Sequence, residues 1–248
     1  MKKTFLSLLV AGAATLGLVA CGQEAPELTG TGYKLVNNDA CVAKMELKVK
    51  DNVITSAKID ETFEVGHFLD LAEKVEGTET FDFEVEQWGQ KKQKSFAKFA
   101  LLGDKQVKGT LGEDEKSVTY TIDGKSSKEF MAANAEWYFT TVSQEGGLKV
   151  TDSEFKAVEG QKINASEGLL KSENKYWNPS KAETSVFMAH MDRIEKFLVG
   201  KDASKLGEVV KGEDKNWKVG DEVVTGATIN AFPAYIELAK EIFTTLTK

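Results

Sequence analysis

Residues 225–228, which read TGAT, place two threonine hydroxyls on either side of two small residues. A threonine hydroxyl can form an ester with phosphate, and Gly226 and Ala227 leave the backbone open to a bulky modifying enzyme. The segment directly precedes a predicted helix that begins near Asn230. A helix N-terminus carries free N–H groups and about half a positive elementary charge. A negatively charged group at this point of the chain would therefore be stabilised.

This segment resembles the (S/T)-G-A-(S/T) sequence of FMN-binding domains that carry flavin covalently. In that family the last hydroxyl residue forms a phosphodiester with FMN. A separate flavin transferase installs the cofactor from FAD with the help of a divalent metal. The resemblance implies that Thr228 is the acceptor, and that Thr225, Gly226 and Ala227 complete the cofactor-binding motif.

The surroundings of the motif agree with the resemblance in three ways. The motif lies about 20 residues from the C-terminus and directly precedes a predicted amphipathic helix. The hairpin turn at 50–55 resembles the family's opening pair of strands. The chain also begins with a predicted export signal. The resemblance covers roughly residues 30–62 and 180–248, whereas residues 63–179 match no known pattern. Family members usually place an aspartate shortly before the motif, and here Asp221 and Glu222 stand slightly farther upstream.

The family's role implies a function for the chain. It would be an electron carrier rather than a catalyst, with covalent FMN linking a membrane redox donor, such as a quinone-linked dehydrogenase, to an acceptor outside the cell. Two other classes stay open. A surface lipoprotein without a redox role, such as a solute-binding or adhesion module, would have a ligand cleft or an exposed apolar patch. A flavin-dependent enzyme would need a substrate pocket beside the ring.

The first 20 residues have the pattern of a secretory signal peptide, with two lysines followed by a short apolar run that ends at Ala20. Residues 18–22, LVACG, resemble the bacterial lipobox, which implies cleavage after Ala20 and lipid attachment at Cys21. An ordinary cleaved signal with a chance cysteine is the alternative. A bilayer span needs roughly 20 apolar residues, and no second run of comparable length follows. We expect a body held on the extracytoplasmic face of the cell membrane by a tether over residues 21–30.

Composition excludes several other classes. The net charge is −7, and loss of Lys2 and Lys3 with the leader would make it −9, which disfavours nucleic acid as a partner. The short basic cluster at 91–94 is interpreted as a solvated turn. Apart from Cys21 the only cysteine is Cys41, which its small apolar neighbours predict to be a buried strand residue rather than a reactive thiol.

Other kinds of site lack the required residues. Only two histidines, His67 and His190, are present, and there is no CxxC, which argues against zinc or attached haem. No GxSxG, Walker A or GxGxxG motif occurs. Trp177 and Trp217 are candidates for stacking on a flavin ring, although core packing is the commoner role of such residues. Arg193 is expected on the solvated side of its helix, with a phosphate contact as the alternative.

The sequence predicts an α+β fold in which an antiparallel, meander-like sheet is packed by C-terminal helices. Alternating apolar and polar residues predict a hairpin with strands 42–50 and 53–59 around the turn Asp51-Asn52. Further predicted strands lie at 81–85, 96–102, 107–111 and 118–122, a short helix at 66–75, and loops with one short strand at 143–175.

Helix signals concentrate in the second half of the chain. Two capping boxes, Ser126 with Glu129 and Ser180 with Glu183, each precede apolar residues at helical spacing. The first stripe comprises Phe130, Ala133 and Trp137, and the second comprises Phe187, Met191, Ile194 and Leu198 with a stop at Gly200. The last helix is expected from Asn230, as N-cap, to Leu246, with Pro233 in its first turn.

Overall fold

The computed structural model describes residues 9–11, 25–87, 89–165, 168–173, 187–213, 215–224 and 226–248. The lipidation site Cys21, the cleavage after Ala20, the capping box of Ser180 with Glu183, and Trp177 lie outside those residues, as does Thr225 of the motif. The predicted α+β class is confirmed, since antiparallel sheets are packed by helices and the C-terminal helix lies against strands.

The first sheet is a four-stranded antiparallel meander in the order β1-β2-β3-β4. Its strands are β1 (Leu9–Ala11), β2 (Leu28–Val36), β3 (Cys41–Lys50) and β4 (Val53–Phe63). β1 lies within the predicted signal peptide, so cleavage after Ala20 would leave β2, β3 and β4. The predicted hairpin is confirmed, because β3 and β4 pair across a turn in which Asp51 and Asn52 have φ values of 52° and 60°. Left-handed values at both central positions match the right-handed twist of the strands. β2 begins at Leu28, within the segment expected to serve as the tether.

The C-terminal helix α5 (Phe232–Leu246) packs directly over β2 of this sheet. A Cβ atom on Gly32 would lie 2.8 Å from side-chain atoms of Leu238 and Ile242, and one on Gly30 would lie 2.9 Å from Ile242. The two glycines therefore allow the helix to approach the strand closely. The predicted apolar face of α5 is confirmed, since Phe232, Ile236, Ala239 and Phe243 are buried.

The middle of the chain forms a two-stranded and a five-stranded antiparallel sheet, the latter in the order β10-β9-β8-β7-β11. The strands are β5 (Thr80–Gln87), β6 (Gln90–Ala97), β7 (Phe99–Leu102), β8 (Lys105–Leu111), β9 (Val118–Ile122), β10 (Lys125–Ser126) and β11 (Leu148–Val150).

Three predictions for this region are wrong in detail. The predicted strand 96–102 is two strands that join different sheets, with Lys98 between them. The N–H of Lys98 bonds the Glu79 carbonyl next to β5, whereas its carbonyl accepts from Gly109 of β8. The basic cluster at 91–94 lies in β6 rather than in a turn, and Lys91 pairs with Glu84 of β5. The short helix α1 (Val65–Leu69) ends well before residue 75.

Helices α2 (Ser127–Ala133) and α3 (Ala135–Val142) replace the single helix predicted after the first capping box. The box itself is confirmed, since Ser126 accepts a hydrogen bond from the N–H of Glu129. Asn134 breaks the helix at φ −137°, and its side-chain amide donates to the Phe130 carbonyl. A side chain that bonds nearby backbone competes with the helical hydrogen bonds.

Helix α4 (Phe187–Leu198) buries the predicted stripe of Phe187, Met191, Ile194 and Leu198. The helix ends two residues before the predicted stop, Gly200, whose φ is 81°. A 3₁₀ turn (Ala203–Lys205) and a small antiparallel sheet follow, made of β12 (Val209–Lys211), β13 (Trp217–Val219) and β14 (Glu222–Val224). The sequence prediction missed this sheet, which leads directly into the TGAT segment. Among the described helices, none is long and apolar enough to cross a bilayer.

Candidate functional site

The motif loop connects β14 to α5, and its described residues differ in their exposure. Val224 is the last residue of β14 and is 4% exposed, Ala227 is fully buried, and Thr228 is exposed. Val224 and Ala227 fix the loop to the core, one just before the motif and one within it. Thr228 is thereby held at the surface a few residues before the start of α5.

Gly226 is the point at which helix α4 holds the loop. Its carbonyl oxygen lies 2.9 Å from His190 Nδ1 and accepts a hydrogen bond of 3.1 Å from Arg193 Nη1. A carbonyl oxygen can only accept, so the 2.9 Å contact requires the hydrogen of His190 to sit on Nδ1. The N–H of Gly226 donates to Asn216 Oδ1 at 2.8 Å. Both polar groups of this one residue are therefore satisfied by side chains from α4 and from the small sheet.

The conformation of Gly226 explains why the motif needs glycine here. Its φ is 78°, in the left-handed region that residues with a Cβ atom rarely adopt. A Cβ atom would also lie 2.7 Å from Arg193 Nε and 2.8 Å from Arg193 Cζ. The guanidinium therefore occupies the space that a side chain at this position would need.

The start of α5 differs from the prediction. Asn230 is not the N-cap; Ala231 holds that position, without a side-chain cap, and Pro233 falls in the first turn as expected. The Asn230 side chain instead accepts a hydrogen bond from Lys211 Nζ at 3.2 Å. The predicted free N–H groups are also largely used within the backbone, because Phe232 N–H bonds the Ile229 carbonyl. The helix dipole remains as a favourable field for an anion.

Trp217 braces the other side of the loop. Its ring stacks on Phe232 with centroids 5.7 Å apart and an interplanar angle of 11°. Its indole N–H donates to the Ile229 carbonyl at 2.8 Å. Trp217 therefore holds the end of the motif loop against the first residue of α5. This is a packing role, the commoner of the two roles considered for it from the sequence.

Two cationic side chains lie at the motif loop. Arg193 is half-buried against Gly226, rather than on the solvated side of its helix as predicted, because the Gly226 carbonyl supplies a hydrogen-bond acceptor there. Lys211 Nζ lies 5.3 Å from the centroid of the Trp217 ring. The acidic Glu222, just upstream of the motif, is neutralised by an ion pair of 2.6 Å with Lys201. Two cations, Arg193 and Lys211, therefore contact the residues of this loop and of the helix start.

No protein-family model, curated protein or solved structure matches the chain. Its function therefore has to be inferred from its own residues.

Within the described ranges, no three histidine, cysteine, aspartate or glutamate side chains are grouped so that they could hold a metal ion.

A cavity of about 750 Å³ lies elsewhere, between the segment after α1 and the loops that flank β11. Its walls include Ala72, Leu148, Gln161 and Ile163, and none of its lining residues belongs to the motif loop. This volume falls within the range of small-molecule pockets, about 300–1,000 Å³. The cavity and the TGAT segment are therefore separate candidate sites.

Proposed function

We propose that the protein is a membrane-anchored extracytoplasmic electron carrier whose FMN is attached through its phosphate to Thr228. The observation that carries the proposal is the exposed Thr228, held between the clamped Gly226 and the N-terminus of α5. When bound, FMN supplies one- or two-electron chemistry, and the protein sets its exposure and potential. Cys21 would hold the carrier at the membrane through its lipid.

Accessibility is the first requirement for attachment by a separate enzyme. The transferase must reach the Thr228 hydroxyl without unfolding its target, and Thr228 is exposed while Ala227 beside it is fully buried. The contacts from His190, Arg193 and Asn216 to Gly226 fix the backbone that presents the hydroxyl. A pre-ordered loop lowers the entropic cost of binding to the enzyme.

Charge is the second requirement, because a phosphodiester keeps one negative charge. The dipole of α5 favours an anion at its N-terminus by about 0.3–1 kcal/mol when the site is exposed. Arg193 and Lys211 add two positive charges at the same loop. Arg193 would be the residue that faces the phosphate, since a planar guanidinium presents its N–H donors in a rigid fork that matches phosphate geometry.

The attachment is tested by expressing the mature chain with a flavin transferase, FAD and Mg²⁺, and then measuring flavin fluorescence in a denaturing gel. We expect fluorescence that requires the transferase. Thr228→Val, which keeps the shape but removes the hydroxyl, should abolish it, Thr228→Ser should retain it, and Thr245→Val on α5 should leave it unchanged. Fluorescence in Thr228→Val would exclude Thr228 as the acceptor. A native protein without added mass at Thr228 would refute the electron-carrier proposal.

The cavity between α1 and β11 favours the second candidate, a solute-binding lipoprotein. That function predicts a colourless protein whose melting temperature rises with the correct small molecule, because a ligand that binds only the native state stabilises it. Replacing Ile163 by tryptophan would fill part of the cavity and should remove such a rise. The same substitution should leave flavin attachment at Thr228 unchanged, which separates the two functions.

A further inference from the structure

A buried ion pair lies in the core beneath α5, away from the motif loop. The Glu61 side chain of β4 is fully buried, and Lys171 Nζ donates to its Oε2 atom at 2.6 Å, with the lysine side chain only 8% exposed. The backbone N–H of Lys171 also bonds the Glu61 carbonyl at 2.7 Å. The loop that carries Lys171 is therefore fixed to the strand at the site of the ion pair.

A carboxamide shares the same carboxylate oxygen. Asn37 Nδ2, in the turn between β2 and β3, donates to Glu61 Oε2 at 3.0 Å. Asn37 has a left-handed backbone, with a φ of 55°, and its side chain reaches the buried carboxylate. The amine of Lys171 and the amide of Asn37 therefore meet around one oxygen atom of a buried acid.

Aromatic residues enclose this group. Lys171 Nζ lies 5.2 Å from the ring centroid of Phe63 and 5.3 Å from that of Phe187. The fully buried Tyr235 donates its hydroxyl to the other oxygen of Glu61, Oε1. The ion pair is therefore enclosed by two aromatic rings and by the Tyr235 hydroxyl.

We propose that Lys171 and Asn37 become joined by an intramolecular isopeptide bond, with Glu61 as the catalytic acid and base. A bond forms between Lys171 Nζ and Asn37 Cγ, and the bond between Asn37 Cγ and Nδ2 breaks. Glu61 takes a proton from the amine and delivers one to the departing nitrogen, which leaves as ammonia. No electrons are transferred, and no cofactor or second reactant is needed.

The arrangement supplies each part of that reaction. The carboxylate oxygen that accepts from the nucleophilic amine also accepts from the leaving amide, so one atom can serve both proton transfers. Fixing the amine beside the amide replaces a bimolecular encounter by an intramolecular one, which is the main reason that such reactions become fast. Tyr235 keeps Glu61 in place through its second oxygen.

Cys41 is the other nucleophile at this site, with its Sγ 3.8 Å from Lys171 Nζ. Burial, followed by the charge of Glu61, raises the pKa of the Cys41 thiol to about 12. The thiol is therefore protonated at neutral pH and is a weak nucleophile, because the thiolate is the reactive form. This leaves the amine as the group that attacks the Asn37 amide.

The test is the intact mass of the purified full chain under denaturing conditions. Loss of ammonia should lower the mass by about 17 Da relative to the sequence, apart from any other modification. Digestion should yield a branched peptide that joins the segments around residues 37 and 171. The linked chain should also migrate faster in a denaturing gel, because the cross-link closes a large loop.

Matched variants separate the cross-link from simple folding. Lys171→Arg, Asn37→Ala and Glu61→Gln should each restore the full mass, whereas Asn38→Ala in the same turn should still lose ammonia. Circular dichroism identifies any variant that restores the mass only because it does not fold. A folded wild-type protein with the full mass and no branched peptide would overturn the proposal, and so would a branched peptide that joins other residues. Neither readout depends on flavin at Thr228.

Discussion

Replacing Gly226 by alanine should destabilise the protein through two separable causes. The first is the left-handed backbone at φ 78°, which costs a residue with a Cβ atom about 1–2 kcal/mol. The second is the clash between the new Cβ and Arg193 Nε, at 2.7 Å. Forcing extra atoms into a well-packed site costs about 1–3 kcal/mol. The total expected loss in the free energy of unfolding is therefore about 2–5 kcal/mol.

Gly124 provides the matched control for this substitution. Its φ is 77°, nearly that of Gly226, but a Cβ atom there would meet nothing within 4 Å. Gly124→Ala should therefore show the backbone cost alone, about 1–2 kcal/mol. Urea denaturation followed by circular dichroism measures both variants, and the comparison is valid if the slope with denaturant is unchanged.

A double variant assigns the remaining difference to Arg193. In an Arg193→Ala background the clash is gone, so Gly226→Ala should cost no more than Gly124→Ala. Equal costs of Gly226→Ala and Gly124→Ala in the wild-type background would refute the steric argument. Such a result would mean that Arg193 moves aside freely and does not fix the motif loop.

Three further predictions concern the core. Gly32→Ala should lower the free energy of unfolding by about 1–3 kcal/mol in urea denaturation, because its Cβ would lie 2.8 Å from Leu238 and Ile242; an unchanged midpoint would contradict the close packing of α5. Tyr235→Phe should lower the free energy of unfolding by about 1–3 kcal/mol, which is more than the loss expected for Tyr120→Phe. The reason is that the Tyr235 hydroxyl donates to the buried Glu61 carboxylate, whereas the Tyr120 hydroxyl donates to a backbone carbonyl. Equal losses in the two variants would contradict this. The pKa of the Cys41 thiol is raised to about 12 in the folded state, so the stability that the thiol contributes is present below the thiol pKa of the unfolded chain and is lost as the pH rises towards 12. Cys41→Ala should therefore flatten the decline of the denaturation midpoint at alkaline pH. An identical decline in the variant and the wild type would refute the assignment to Cys41.

Local patterns in the sequence were sufficient for the elements that depend on neighbouring residues. The Asp51-Asn52 turn was predictable because these residue types tolerate positive φ at the centre of a two-residue hairpin. The Ser126 cap was predictable because a capping box places its two partners three residues apart. The buried stripe of α4 followed from helical spacing. In each case the deciding interaction spans only a few positions of the chain.

The contacts that define the motif loop could not be predicted in this way. His190 and Gly226 are separated by 36 positions and Asn216 and Gly226 by 10, and nothing in their local sequence indicates the pairing. The buried ion pair of Glu61 and Lys171 spans 110 positions. The break at Asn134 was missed because apolar residues at helical spacing predict a continuous helix. They do not indicate that the Asn134 side chain will donate a hydrogen bond to the Phe130 carbonyl.

Helix α4 links the parts of the molecule on which both proposals depend. Its first residue, Phe187, lies over the Lys171 ammonium, and Arg193 near its middle holds the motif loop. Glu195, two residues farther along, accepts a hydrogen bond of 2.8 Å from the backbone N–H of Ile59 in β4. That bond fixes α4 against the strand that carries Glu61. An isopeptide bond between Lys171 and Asn37 would therefore stabilise the strand and loop on which α4 rests, and the loop that presents Thr228 would gain rigidity from a reaction in which Thr228 takes no part.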